Sequence, residues 1–424
     1  MLSDKLENEL KILFYNHTGT VSGAERVMAM ILDRLNREHF EPVVACPQNS
    51  RMMEMVQGLR IRTCSLPALD ARFTWRLDRI IGYLISFTKV IRCARRLVID
   101  EAPGIIHANS IRAGMVMSAA TMGLGMPVIW HAHDILPRHP LSTAIRLFTV
   151  TTRRNRILGV SKAVSDRFRG AILRPLGRRV PVGVIHNAVD LKRFRADAEG
   201  REEMRRALGL SQAQPVIGIV GQLTPRKGQL ELIEAFADVS GEFKEAVLLV
   251  VGTSLFNRDG EYVTQLEQAV ESLGMRGRVY FLGQRDDIPR LMQGVDVLVV
   301  NSHEEPFALT VLEGLASGTT VLATAVGGTP EMIRHGENGW LVQPRDRDGL
   351  GKAMVTLLLD ENLRLRLGRQ GRLEAETRFS TNRFLSEVEG LYRGVLNGGG
   401  MPDEGDSDVE IRLGRLKSAT FLRS

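Results

Sequence analysis

Glu305 and Glu313 are the carboxylates whose surroundings in this chain suggest chemistry. Seven residues separate them in the run Asn301-Ser302-His303-Glu304-Glu305-Pro306-Phe307-Ala308-Leu309-Thr310-Val311-Leu312-Glu313-Gly314. An apolar stretch at 295–300 comes just before and reads as a buried strand. Pro306 breaks that register, and 307–316 has the composition of a helix. Glu305 therefore falls on a loop at the C-terminal end of a strand, and Glu313 about two turns into the helix that follows. Open α/β sheets bind ligands at that edge. The helix-start amides of Phe307, Ala308 and Leu309 face the same edge and favour anionic groups. A carboxylate there can accept hydrogen bonds from hydroxyls, two of them when they are vicinal. Taken singly, either glutamate is also explained as a solvent-facing charge. Gly314, Ala316 and Gly318 follow, small residues that let something pack close.

Two further strands end in histidine clusters, His107-Ala108-Asn109 and His131-Ala132-His133-Asp134. A His-x-His-Asp group is a candidate metal ligand set, but no third ligand at suitable spacing accompanies it. His107 and His131 read as strand-end packing. Asp346-Arg347-Asp348 has the D-x-D form, yet it lies between Pro344 and a helix, where capping explains it. No metal site is expected.

Positioning these groups requires a particular scaffold. Strands are predicted at about 11–15, 42–46, 61–64, 104–108, 127–131 and 156–160, then at 216–221, 246–252, 279–283, 295–300 and 320–323, with helical patterns between them. Such βαβα alternation predicts parallel sheets covered on both faces. At 424 residues the chain exceeds one ordinary core, so two domains are expected. The first strand runs into Asn16-His17-Thr18-Gly19-Thr20-Val21-Ser22-Gly23-Ala24-Glu25 and a helix to about Arg37. This is a nucleotide-type βα unit without the G-x-G-x-x-G fingerprint, so no dinucleotide is implied.

Composition narrows the class. The chain is 44% hydrophobic and 25% charged, with a formal net charge of +7. That balance favours acidic partners such as nucleotide phosphates or anionic lipid. Aromatic residues make up 5%, and no stretch alternates basic and aromatic residues as a base-stacking surface does, which argues against nucleic acid. Cys46, Cys64 and Cys93 are scattered and odd in number, as in a reducing, cytoplasmic compartment. The start carries no signal-peptide apolar region, and the apolar stretch at 80–90 is too short to span a bilayer. Arg72 to Arg96 and Arg153 to Arg179 are strongly basic. Two readings stand for them: solvated faces, or peripheral docking on the inner face of an anionic membrane. The tail is acidic from Asp403 to Glu410 and then basic, and is expected to be flexible.

The Glu305–Glu313 spacing is the "E-x7-E" pattern. With Gly327-Gly328-Thr329-Pro330-Glu331 and Asn338-Gly339-Trp340-Leu341-Val342, the chain up to about Leu396 resembles the retaining glycosyltransferases of family four, which have the GT-B fold. The resemblance implies two Rossmann-like domains with parallel sheets facing across a cleft. It divides the chain into 1–188 for the acceptor, 189–380 for the nucleotide sugar, a helix at 381–396 returning to the first domain, and a tail at 397–424. It implies catalytic roles for Glu305, His133 and Lys227. Donor contacts would come from Gln222, Arg226, Lys227, Gln284, Arg285, Glu305, Phe307, Ala308, Leu309 and Glu313. Gly23, in a "Ser-Gly-Ala-Glu" version of the family's "GGAE" loop, and Asp134 would face the acceptor. The implied reaction is metal-independent, needs no cofactor, and moves a hexose-type sugar from a nucleotide-diphosphate donor to a saccharide or lipid-linked acceptor. Such chemistry serves polysaccharide, lipopolysaccharide or glycolipid synthesis.

The chain departs from the family pattern at two places. In Gln222-Leu223-Thr224-Pro225-Arg226-Lys227-Gly228, Gln222 stands where the family has an arginine, with Arg226 as a candidate substitute. In Val184-Ile185-His186-Asn187-Ala188-Val189-Asp190, Ala188 replaces a glycine, which argues against a left-handed backbone there. A nucleotide-sugar epimerase of the same fold, or a non-catalytic scaffold, are the rival readings.

Overall fold

The computed structural model describes residues 9–69, 77–169, 179–254 and 260–402. Contacts divide the chain into two compact units. One runs to His186 and resumes at Phe384; the other spans Asn187–Arg383. Parts of both basic segments and the charged tail lie outside the described residues.

Each unit is built on one parallel sheet. The first holds β1 (Leu10–Tyr15), β2 (Phe40–Cys46), β3 (Arg62–Ser65), β4 (Ile105–Ala108), β5 (Val128–Ala132), β6 (Asn155–Gly159) and β7 (Val182–Val184), in the order β3-β2-β1-β4-β5-β6-β7. The second holds β8 (Val216–Val220), β9 (Val247–Val251), β10 (Val279–Gly283), β11 (Val297–Val300), β12 (Thr320–Thr324) and β13 (Trp340–Val342), in the order β10-β9-β8-β11-β12-β13. The central strands are runs of Val, Ile and Leu buried on both faces, as crossover helices require. In both sheets the winding reverses beside the first strand, between β1 and β4 and between β8 and β11. Lys227 follows β8 and Glu305 follows β11. Asn16 follows β1 and Asn109 follows β4.

Several details differ from the sequence reading. β11 begins at Val297, and the helix after Pro306 is Leu309–Ala316. Glu313 thus stands just over one turn into that helix rather than two. The small residue after it serves packing: a Cβ on Gly314 would lie 2.5 Å from Leu298 Cδ2. β7 and β13 escape periodicity because each is only 3 residues long. Ala188 is not among the described non-glycine residues with positive φ, which are Asn49, Arg60, Ala102 and Arg345. Asp346 caps the helix Arg347–Leu359 by accepting from Gly349 N at 2.8 Å.

The second unit is also fastened by a buried cation that periodicity cannot reveal. Arg205 is fully buried and donates to Asp296 Oδ2 at 2.8 Å and to the carbonyls of Gly294, Ser211, Gln212 and Gln214. Asp296 also accepts from Val216 N at 2.7 Å and Arg201 at 2.5 Å. A buried guanidinium is tolerable only with its donors satisfied in this way. In the first unit, the later part of the helix Thr381–Leu396 buries Phe384, Val388, Leu391, Tyr392 and Val395. Tyr392 meets Phe14 and Phe40 edge-on, at centroid distances of 6.4 and 5.8 Å.

Candidate functional site

In the second unit the loop after β8 and the loop after β11 are stitched together. Gly228 has φ 66°, and a Cβ there would lie 2.2 Å from the Asn301 carbonyl oxygen, so glycine is required both for conformation and for space. Asn301 Nδ2 donates to the Gly228 carbonyl at 2.9 Å, and His303 N donates to the Arg226 carbonyl at 2.8 Å. Arg226 reaches back to the Glu304 carbonyl at 3.1 Å. Lys227 Nζ meets Glu305 Oε2 at 2.5 Å. Glu305 is buried, and its Oε2 also accepts from Ser302 Oγ at 3.0 Å. The turn after β12 closes the other side, through Gly328 N to the Glu305 carbonyl at 3.0 Å. His303 Nε2 lies 3.0 Å from Glu231 Oε1 on the helix Gln229–Val239.

The remaining sequence-predicted residues of this unit fall at the same sheet edge with different surroundings. Phe307 and Ala308 are buried where the chain enters the helix Leu309–Ala316, and Glu313 is half-buried on it. Gln222 is half-buried, and its carbonyl accepts from Gln229 Nε2 at 2.8 Å. Gln284 is exposed after the edge strand β10. Arg285 engages Asp287 with two bonds, at 2.7 and 2.5 Å. Its guanidinium is thereby held inside its own loop.

In the first unit the sequence-predicted residues lie at the C-terminal ends of β1 and β5. Gly23 opens the helix Gly23–Arg34. The glutamate of its motif serves structure, because Ser22 N and Ser22 Oγ donate to Glu25 Oε2 at 2.8 and 2.6 Å, the reciprocal half of a capping box. Asp134 is exposed. His133 is half-buried, its Nε2 3.2 Å from Asn109 Oδ1, and its ring centroid is 4.1 Å from that of His131. His131 Nδ1 lies 3.1 Å from His107 Nε2, and His107 Nδ1 lies 2.8 Å from the Tyr392 hydroxyl. His17, beside Ser110 at 3.0 Å, and Arg112 complete the edge. Sequence reasoning alone misses Asn16, His17, Asn109 and Arg112. The available signal is an asparagine directly after an apolar strand, at Tyr15-Asn16 and Ala108-Asn109.

Burial disfavours the charged form of these rings. It pushes His107 and His133 down to about 3 and His131 well below the usual imidazole range. Burial together with the nearby Arg112 takes His17 down to about 4. All four are neutral at physiological pH.

Two family profiles match in succession, "Glycosyltransferase Family 4" over residues 21–193 and "Glycosyl transferases group 1" over residues 200–374. The lipopolysaccharide core biosynthesis glycosyltransferase LpsE of Rhizobium meliloti is 36% identical over 360 residues, 84% of this chain and 91% of LpsE. The chain belongs to the family-four glycosyltransferases and has their GT-B fold. The N-acetyl-alpha-D-glucosaminyl L-malate synthase of Bacillus anthracis is 30% identical over 194 residues, 46% of this chain and 49% of the synthase. The chain spans about half the length of that synthase and of two further curated relatives it matches. Among solved structures, HepE of Anabaena in complex with UDP has a TM-score of 0.75 at 26% identity, covering 90% of this chain and 99% of HepE. Another HepE structure holds UDP-glucose.

The depressed histidines make stability depend on pH. In the unfolded chain these rings titrate near 6.5; in the folded chain they stay neutral far below it. The unfolded state therefore binds more protons below about pH 6.5, and stability falls as pH falls, by about 1.4 kcal/mol per pH unit for each such ring. Urea midpoints taken at about pH 7 and about pH 5 should differ, the lower pH being less stable. Equal midpoints, or a more stable protein at the lower pH, contradict buried neutral rings.

Proposed function

We propose that this chain transfers a hexose from a nucleotide-diphosphate sugar to a hydroxyl of a saccharide or lipid-linked acceptor, with retention at the anomeric carbon and without a metal ion. The observation that carries this reading is the Lys227–Glu305 pair at the switch point of the second sheet, a cation and a carboxylate on adjoining strand-end loops. A diphosphate leaving group needs compensating charge as its bond to C1 breaks. Lys227 suits that role, aided by the helix start at Phe307–Leu309. Glu305 suits the sugar hydroxyls and Glu313 the vicinal hydroxyls of the ribose. As the C1–O bond to the diphosphate breaks, the acceptor oxygen bonds to C1 on the same face, and its proton passes to the leaving phosphate. Uridine is the favoured base, because HepE holds UDP and UDP-glucose. LpsE directs the choice of pathway towards lipopolysaccharide or a related surface glycan. The relatives named above are a transferase and a synthase, which favours transfer over epimerisation.

The acceptor reading extends to a membrane. Among the described residues, no helix is long and apolar enough to cross one. On the helix Leu77–Glu101, Ile85 is 65% exposed, and Lys89, Arg92 and Arg96 are exposed at spacings that place them on its face. Leu84 beside it is 62% exposed. An exposed apolar pair followed by a row of cations fits the interface of an anionic bilayer.

Four measurements check these proposals. Lys227→Ala should lower kcat/KM by about 2–4 kcal/mol of transition-state stabilisation. Arg226→Ala should cost less, since that guanidinium is placed on the Glu304 carbonyl. A folded Glu305→Ala protein retaining activity to within about threefold removes Glu305 from the site, and a product whose anomeric configuration is inverted removes the retaining course. Activity should persist in excess chelator; its loss, restored by magnesium or manganese, overturns the metal-independent reading. In sedimentation, the protein should follow vesicles rich in anionic lipid more than zwitterionic ones, and Lys89→Glu with Arg92→Glu should abolish the difference. Equal partition of the wild type between the two vesicle types rules out charge-directed docking.

A further inference from the structure

The strands β1, β4 and β5 are neighbours, and the polar residue directly after each, Asn16, Asn109 and His133, joins the others in one line of contacts. Asn16 and Asn109 are fully buried. Asn16 Nδ2 donates to the Thr18 carbonyl at 2.7 Å. A backbone carbonyl only accepts, so this contact fixes the Asn16 amide and turns its Oδ1 towards Asn109. Asn109 Nδ2 then donates to Asn16 Oδ1 at 3.1 Å, and also to the Ala24 carbonyl at 3.4 Å. Two acceptors on one nitrogen fix the second amide. Its Oδ1 faces His133 Nε2 at 3.2 Å. An amide oxygen only accepts, so the imidazole must be the donor. A neutral ring carries one N–H. With that hydrogen on Nε2, the lone pair sits on Nδ1.

We propose that Asn16 and Asn109 are positioning residues that lock His133 as its Nε2–H tautomer, so that Nδ1 accepts a hydrogen bond from a carbohydrate hydroxyl of the substrate. The proposal rests on the assignment of His133 to the substrate side. The direction of every bond in the line is set from one end by the Thr18 carbonyl, which cannot reverse. The other titratable groups described against this ring are histidines, His131 of β5 and, behind it, His107 of β4. Both are neutral through burial, so the lock is not disturbed by a neighbouring charge from those strands. A ring held this way accepts from a hydroxyl without first losing a proton. The residue type matters: the Asn109 oxygen orders the ring without charging it, whereas a carboxylate in the same place would favour imidazolium, which has no acceptor atom.

The experiment uses the full chain labelled with 15N-histidine. The His133 signal is identified by its loss in His133→Gln. At about pH 7 the wild-type ring should show the neutral Nε2–H pattern. A neutral Nδ1–H pattern or an imidazolium overturns the lock, whatever the activity. In Asn109→Asp, which preserves shape, the ring titration should move upward by about 1–3 pH units. An unmoved titration means that position 109 does not face Nε2, and the lock fails. The rate gives an independent arm. In Asn109→Asp, kcat/KM should fall about tenfold per pH unit below the new ring pKa and recover above it, where the wild type shows no such step. A ring that titrates while kcat/KM ignores it overturns the hydroxyl contact at Nδ1, and with it the substrate-side assignment of His133.

Discussion

A parallel sheet wound outward in both directions from one pair of strands leaves the ends of that pair uncovered by crossover helices. The polar groups of the candidate site are arranged around that constraint, met once in each unit. β8 and β11 carry the turns that hold Lys227 and Glu305; β1 and β4, with β5 beside them, carry Asn16, Asn109 and His133. The sheets themselves are apolar and buried, so a side chain that must meet a charged or hydroxylated ligand has few other places to go. The same geometry supplies helix starts at that edge, whose aligned amides add positive potential without a mobile side chain.

The uncovered edge is also where the protein tolerates expensive groups. The Lys227–Glu305 pair is largely shielded from water, with side-chain exposures of 19% and 8%. A pair so placed is weak evidence for stability, because desolvation offsets its attraction. The mesh of bonds around it points instead to preorganisation: Arg226, Gly228, Ser302 and Gly328 each fix the loop that carries Glu305. Arg205 and Asp296 show the contrasting use of buried charge. They lie at the opposite end of β11 and β8, every bond they make is internal, and they fasten the helix Ala198–Ala207 to the strands.

Much of this is legible in the sequence. Apolar runs mark the long strands to within about two residues, because a strand buried on both faces leaves an uninterrupted pattern. Lys227 and Glu305 stand out because they occupy strand-to-helix turns. The capping role of Asp346 can be read from Pro344 and the helix that follows. What stays hidden depends on side chains far apart in sequence. Nothing local distinguishes Arg205 from the exposed arginine beside it, or says that the Arg285 guanidinium turns to Asp287. The neutral state of His107 follows from burial under Tyr392, which lies 285 positions away. Short strands such as β13, and the exact turn on which Glu313 falls, are set by packing rather than by pattern.

The contribution of Phe384 to Val395 to the first unit has a bearing on how the chain is made. Synthesis runs from the amino end, and domains ordinarily fold as they emerge. Here the face of the first sheet bearing Phe14, Phe40 and His107 acquires Tyr392 only after the whole second unit has been translated. The nascent first unit must therefore wait with an apolar, histidine-bearing surface open while some two hundred residues are added, so the earliest part to fold is the last to be sealed, and a chain stopped short of that helix leaves it unsealed for good.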